Sequence, residues 1–193
     1  MTIFFTSDTH FGHRNIIKYC NRPFQTIDEH DQKLIENWNS VVQKGDIIYH
    51  LGDFGFGDIQ YMKKICSKLR GQINLILGNH DTNINKFSDR FGFIKDTHLL
   101  KTKLNSRTVQ IFMSHYPHRT WIHRPRNCYH LYGHVHGNLE SHGLSFDVGV
   151  DLWKYTPISL EQVDSYCRTV LMPSWEIERN MWNFKNTVKM EKV

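Results

Sequence analysis

Apolar residues along the chain recur with two periods. Ile3 to Ser7 is a short run of aromatic and β-branched character that stops at Asp8, which predicts a buried strand followed by a loop. From Asp28 to Val42 the period lengthens, placing Leu34, Ile35, Trp38, Val41 and Val42 on one helical face, and Thr26-Ile-Asp-Glu29 ahead of it has the form of a capping box. Gly45-Asp46 then turns the chain into Ile47 to Leu51, a second buried strand that runs into Gly52-Asp53. The unit repeats. Ile59, Met62, Ile65 and Leu69 define a second amphipathic helix that ends at Gly71, and Ile73 to Leu77 forms a strand leading into Gly78-Asn-His-Asp81.

The second half changes character. Leu99 to Leu104 and Thr108 to Met113 flank Asn105-Ser106 as a hairpin, and strands are expected near Tyr129 to Tyr132 and Leu144 to Val148, mostly antiparallel. Ser159 is positioned to cap a last helix over Leu160 to Cys167, and Pro173 marks the break to a tail containing Trp175, Met181, Trp182 and Phe184. Alternating strands and helices followed by a β-rich half predict a layered α/β fold. At 193 residues and 39% hydrophobic content the chain encloses one core, so we assign one domain to residues 1–170 and an extension to 171–193 that packs on the domain or on a partner, making an oligomer through this tail one expectation.

Composition narrows the class. The apolar run at the start ends at Asp8, too short for a signal-peptide core or a membrane span, so a soluble, cytoplasmic protein with no membrane partner is expected. Cys20, Cys66, Cys128 and Cys167 lie singly, so neither a zinc knuckle nor a disulfide framework is indicated. A net charge of +5 suits an anionic substrate and suits a solvated basic surface equally well. The 13 histidines are more telling, because they cluster beside Asp, Gly and Asn.

Loops that follow predicted strands carry metal-competent groups: Asp8 with His10, Asp53, Asn79 with His80, His115, and His134 with His136. Ligands gather at the carboxyl ends of strands in sheet-based folds, so these loops are expected to converge. In an extended tripeptide the outer two side chains project to one side, which would let Asp8-Thr-His10 and His134-Val-His136 each grip a cation. Glycines 52, 78 and 133 precede ligand segments, where a close backbone approach leaves no room for a Cβ.

Asp-x-His, Gly-Asp, Gly-Asn-His-Asp, a lone His and Gly-His-x-His, in this order over residues 1 to about 165, resemble the calcineurin-like metallophosphoesterase superfamily, and residues 8–17 resemble a small bacterial and phage subgroup of it. The resemblance implies an αββα sandwich: two mixed sheets face to face with helices outside. It implies that Asp8, His10 and His136 hold one ion, that Asn79, His115 and His134 hold the other, and that Asp53 bridges them, about 3.5–4 Å apart. A donor set of N and O suits Mn, with Fe, Zn or Ni as alternatives. His80 is then the general acid toward the leaving group, and a metal-bridging hydroxide is the nucleophile in hydrolysis of a phosphomonoester or phosphodiester. Such an enzyme is a phosphatase or phosphodiesterase. This sequence departs from the pattern in having Ser114, not Gly, before His115.

Other residues carry two readings each. Asp81 either orients the His80 ring or simply forms a turn; His13 and Arg14 either contact substrate phosphate or sit on an exposed loop. Residues 118–126, with Arg119 and Trp121, either cradle a nucleotide by phosphate pairing and base stacking or form a basic surface loop. Asn15 and His142 either support the metal shell or do nothing. Charge favours a nucleotide or nucleic-acid end among phosphorylated substrates. A non-catalytic scaffold of the same fold and a sequence-independent nucleic-acid binder are the alternatives, and intact ligand positions count against the first.

Overall fold

Strand β1 (Ile3–Thr6) alternates Phe4 and Phe5 between two apolar environments, and this doubling organises the molecule. Phe4 faces Leu34, Ile35, Trp38 and Met62 of the helices, whereas Phe5 faces Ile111, Leu131 and Phe146 of a second sheet. A sheet buried on both faces has no polar side to show, which is why its strands read as continuous apolar runs. The computed structural model describes residues 1–171 apart from residue 83; the extension expected over 171–193 lies, beyond Leu171, outside the described residues.

The first sheet joins β1 in parallel to β2 (Ile47–His50), β3 (Gln72–Ile76) and β4 (Phe91–Lys95), with the two-residue β9 (Ile158–Ser159) antiparallel on the other edge, in the order β4-β3-β2-β1-β9. Helices α2 (Ile27–Val41) and α3 (Ile59–Lys68) cover its outer face, after the single-turn α1 (Ile16–Tyr19). Thr26 caps α2 by accepting the Glu29 N–H at 3.2 Å, while the Glu29 carboxylate reaches back to the amide of Gln25 at 2.8 Å. Two apolar positions assigned to helix faces are exposed instead: Val41 at 36%, because the chain leaves the helix there and Val42 takes the buried place, and Ile59 at 37%, at the open first turn of α3.

The second sheet runs β5 (Thr97–Leu104), β6 (Arg107–Ser114), β7 (Tyr129–Tyr132) and β8 (Ser145–Asp147). Asn105 and Ser106 form the expected two-residue hairpin turn, both with φ in the left-handed region at 48° and 65°. The expectation of mostly antiparallel strands fails beyond this hairpin, since β6 to β7 and β7 to β8 are parallel. The reason is connection length: residues 115–128 and 133–144 are crossovers, which parallel pairing requires. Both sheets are thus mixed. Met113, Leu131 and Phe146 point into the space between sheets, and α4 (Leu160–Tyr166), with the capping box of Ser159 and Gln162, closes that core with Leu160 and Val163. On the other face of the second sheet His130 meets the rings of His118 and Trp121. Among the described residues no helix is long and apolar enough to cross a membrane.

Candidate metal centre

Each of β1, β2, β3, β6 and β7 hands its chain to a loop at its carboxyl end, and those loops meet. The first two continue as partners past the strands, with Asp8 N–H donating to Gly52 O, His10 N–H to Asp53 O and Phe11 N–H to Phe54 O, all at 3.0 Å. This brings Asp8, His10 and Asp53 into one buried wall, none more than 2% exposed. Donor atoms of Asp8, His10 and His136 lie within 4.8 Å of one another, as do those of Asp53, His115 and His134. Asp53 faces both triads with the same oxygen, Oδ2, which is 3.5 Å from His10 Nε2 and 3.5 Å from His115 Nε2. Asn79 joins the second group, its Oδ1 3.1 Å from His115 Nε2. The structure thus gathers all seven residues expected as ligands.

The route differs from the expectation. Asp8, His10, His134 and His136 are not in extended tripeptides; their φ values are 58°, 50°, 72° and 49°, and Asp53 is at 55°. Left-handed backbone at a non-glycine residue costs on the order of 1 kcal/mol or more, and Asp and His bear it better than most residues. The sharp reversals turn paired side chains inward where a pleat would not fit. Close approach also explains Gly133: a Cβ there would lie 1.9 Å from Ser7 Oγ and 2.3 Å from Asp8 Oδ2.

Hydrogen bonds fix how the imidazoles present themselves. His115 Nδ1–H donates to Leu51 O at 2.8 Å and His136 Nδ1 bonds Asp151 Oδ2 at 2.7 Å, so each ring turns Nε2 toward the centre. His10 Nε2 is buried with no hydrogen-bond partner, an orphan that a cation would satisfy. Burial, with Arg22 and neighbouring imidazoles adding to it, holds His10 far below the usual histidine range, so its lone pair is available. Burial pushes the Asp8 carboxyl up to about 8, against the opposing pull of His136 and with Asp147 and Asp53 adding to the rise. Burial acts to lower His136 too, yet Asp151, Cys20 and Asp8 outweigh it and lift the ring to about 10. A buried carboxylate disfavoured in its charged form and a buried imidazole nitrogen with no hydrogen-bond partner are both groups that a divalent cation would satisfy. The residues fit the metals that the sequence pattern implies.

Around this centre lies a support layer that the sequence did not reveal. Arg22, buried to 3%, uses all five N–H groups: Nε and Nη2 fork onto Asp151 at 2.8 Å each, Nη2 also reaches Asp8 O, and Nη1 reaches Thr9 O and His30 Nε2. His30 in turn donates from Nδ1 to Asp31, whose other oxygen accepts from the Gly12 amide and the Tyr61 hydroxyl. Asp147 takes the amides of Gly149 and Gly137, fixing the loop after His136. Gly149-Val-Asp151 repeats the grammar of Gly52-Asp53, a carboxylate at the end of an apolar run, and that was the available signal for Asp151. Arg22 offered none, since nothing in a letter pattern distinguishes a buried arginine.

Of the two readings of Asp81, the hydrogen bonds fit the turn-forming one. Its carboxylate accepts the amides of Gly78 at 2.8 Å and of Asp53 and Phe54 at 2.9 Å, so it ties two loops of the candidate centre together and leaves the His80 ring to other neighbours. The His80 amide donates to Asp53 Oδ1 at 2.9 Å, and its half-buried ring lies 5.6 Å from that of His10. His13 is also at the centre, 5.4 Å from His10 ring to ring, whereas Arg14 and Arg119 are exposed surface residues. Trp121 is 7% exposed, donates to Cys128 O and packs on His130, so the base-stacking reading of residues 118–126 does not hold: its aromatic belongs to the core. Ser114 replaces the usual glycine productively, its hydroxyl donating to Tyr116 O and receiving His130 Nε2. Asn15 is the N-cap of α1, and His142 pairs by backbone with Ser145. Two exposed aromatics that went unnoticed stand here as well: Phe56 against His80 and His13, and Tyr116 against His134 and His115.

Known proteins resemble this chain in sequence and in fold. The uncharacterized protein MJ1445 of Methanocaldococcus jannaschii is 34% identical, with 83% of this chain and 88% of that protein aligned. The Gene 66 protein of Mycobacterium phage L5 is 27% identical over 77% of this chain and 86% of its own. A crystal structure of a protein of unknown function from Aquifex aeolicus superposes with a TM-score of 0.67 at 26% identity, covering 85% of this chain and 98% of that one. The model of the calcineurin-like phosphoesterase superfamily domain matches residues 1–144, and the chain belongs to that superfamily.

Proposed function

We propose that this protein hydrolyses a phosphomonoester or phosphodiester with the help of two divalent cations. The observation that carries the reading is the pair of donor triads linked by one oxygen of Asp53, which lies 3.5 Å from the otherwise orphaned His10 Nε2 of the first and 3.5 Å from His115 Nε2 of the second. Asp8, His10 and His136 would hold one ion, Asn79, His115 and His134 the other, and Asp53 both. Bound there, the cations would supply Lewis-acid activation of a water and neutralise charge on phosphate. Manganese is the ion we favour, since oxygen and imidazole donors suit it.

The chain's own groups do the rest. His80 is held by its amide on Asp53 and presents its ring beside His10, so an imidazole nitrogen gives its proton to the departing oxygen; such a donor contributes about 10²–10⁴-fold. His13, next to it, is kept below the usual histidine range by burial and by His80, so it approaches the substrate as a neutral hydrogen-bonding group. Asp81 and Asp151 position rather than react. The positive balance of the chain, +5, favours nucleotides or nucleic-acid ends among phosphoesters.

Manganese-loaded protein is expected to hydrolyse bis(p-nitrophenyl) phosphate, p-nitrophenyl phosphate or members of a nucleotide panel, with His80→Ala as the blank. Loss of none of the activity in that variant would remove His80 from the reaction, and no hydrolysis of any substrate by the loaded wild type would end the proposal.

A further inference from the structure

Two exposed aromatics stand at the centre, one against His13 and His80 and the other against His115 and His134. Phe56 is 46% exposed, stacks on the His13 ring at 4.5 Å and 27°, and packs on His80 at 4.7 Å. Tyr116 is 50% exposed, sits 4.5 Å from the His134 ring and turns its hydroxyl to Asn79 Oδ1 at 3.4 Å. Exposed rings at the mouth of a polar centre offer flat faces on which a planar ligand group can lie. Their supports differ in chemistry. Phe56 leans on His80, the proposed proton donor to the leaving group, and beside the two rings opens a recess of about 60 Å³ lined by Met62, Ile84 and Phe87 as well.

We propose that Phe56 is a stacking platform for a planar base on the leaving group and that Tyr116 flanks a second nucleoside on the group that stays, which together make the substrate a diester between nucleosides. The inference rests on the hydrolase reading above, because His80 tells which side the leaving group occupies. It also explains why the aromatic on that side carries no polar atom: a phenyl ring accepts any base by its face and adds no hydrogen-bond requirement. A phosphomonoester of a sugar or glycerol would leave both rings uncovered.

The test compares three substrates with the manganese-loaded protein: thymidylyl-thymidine, and its two counterparts in which one or the other base is replaced by hydrogen. The sugar alcohol that departs is the same in each pair, so leaving-group acidity is held constant. Removal of the base on the leaving side is expected to lower kcat/KM by about 5- to 100-fold in the wild type, as base stacking on an aromatic does. In Phe56→Ala this ratio should fall toward one, in Phe56→Trp it should persist, and Ile122→Ala, an exposed apolar residue elsewhere, should keep the wild-type ratio. A wild type indifferent to both bases, or a ratio unchanged in Phe56→Ala, overturns the proposal. If no phosphoester at all is cleaved, the hydrolase reading fails separately, and saturation-transfer NMR of thymidylyl-thymidine decides the platform: base protons saturated in the wild type and not in Phe56→Ala support it, and no base saturation in the wild type refutes it.

Discussion

Replacing Arg22 tests the support layer most directly. The side chain is 3% exposed and each of its five N–H groups meets an acceptor: both oxygens of Asp151, the carbonyls of Asp8 and Thr9, and His30 Nε2. Removing one member of a buried ion pair leaves the other charge uncompensated, which costs about 3–5 kcal/mol, so Arg22→Ala should lose about that much. Arg22→Lys separates charge from geometry. An ammonium offers three donors and no planar fork, so at least two of the five acceptors go unsatisfied, and at about 1–3 kcal/mol each the variant should lose on the order of 2–6 kcal/mol although the charge is retained. Urea unfolding followed by tryptophan fluorescence, in chelator so that metal affinity does not enter, gives both values. Should Arg22→Lys match the wild type, the fork geometry is irrelevant and only charge matters. Should Arg22→Ala lose under about 1 kcal/mol, the buried network around Asp151 and His30 does not stabilise the fold.

Three further outcomes follow from the same structure. Asp81→Asn offers one oxygen and one NH₂ to three amide donors, so it should destabilise by about 2 kcal/mol in the same assay, and a neutral effect would mean that the amides of Asp53, Phe54 and Gly78 find other partners. Burial holds His130 at about 3, below its ordinary 6.5, so the unfolded chain takes up a proton as pH falls through 6.5 while the folded one does not until about 3. Stability should therefore drop over that window, by about 2 kcal/mol from this residue at pH 5, and urea midpoints at pH 7 and 5 should differ less in His130→Gln than in the wild type; equal pH slopes would refute it. Manganese at about 100 times its dissociation constant should stabilise the wild type by about 2.7 kcal/mol against thermal unfolding, and Asp53→Ala, which faces both triads, should show a much smaller rise; equal rises would place the ions elsewhere.

Much of the centre was legible because metal chemistry restricts residue type and because strand ends announce themselves: each of Asp8, Asp53, Asn79, His115 and His134 follows an apolar run. Helix α2 was equally plain from its period and its cap. What escaped was whatever depends on a distant partner. His30 and Asp31 fall on a helix that reads as amphipathic, and only the arrival of Arg22 and Tyr61 makes them buried and paired. β4 and β9 are an edge strand containing Gly92 and a two-residue pairing, too weak in pattern to be seen without their neighbours. The parallel direction of β7 and β8 went unseen for a related reason, since alternation along a strand is the same whichever way the strand runs.

The β5–β6 ladder gives the protein a convenient handle. Thr97 pairs with Ser114, the residue before His115, whereas the turn at Asn105–Ser106 closes the other end of the same ladder, about 24 Å away at 3.4 Å per residue. A fluorophore or an affinity tag inserted between those two residues would report on, or immobilise, the molecule without disturbing the loops that meet around Asp53.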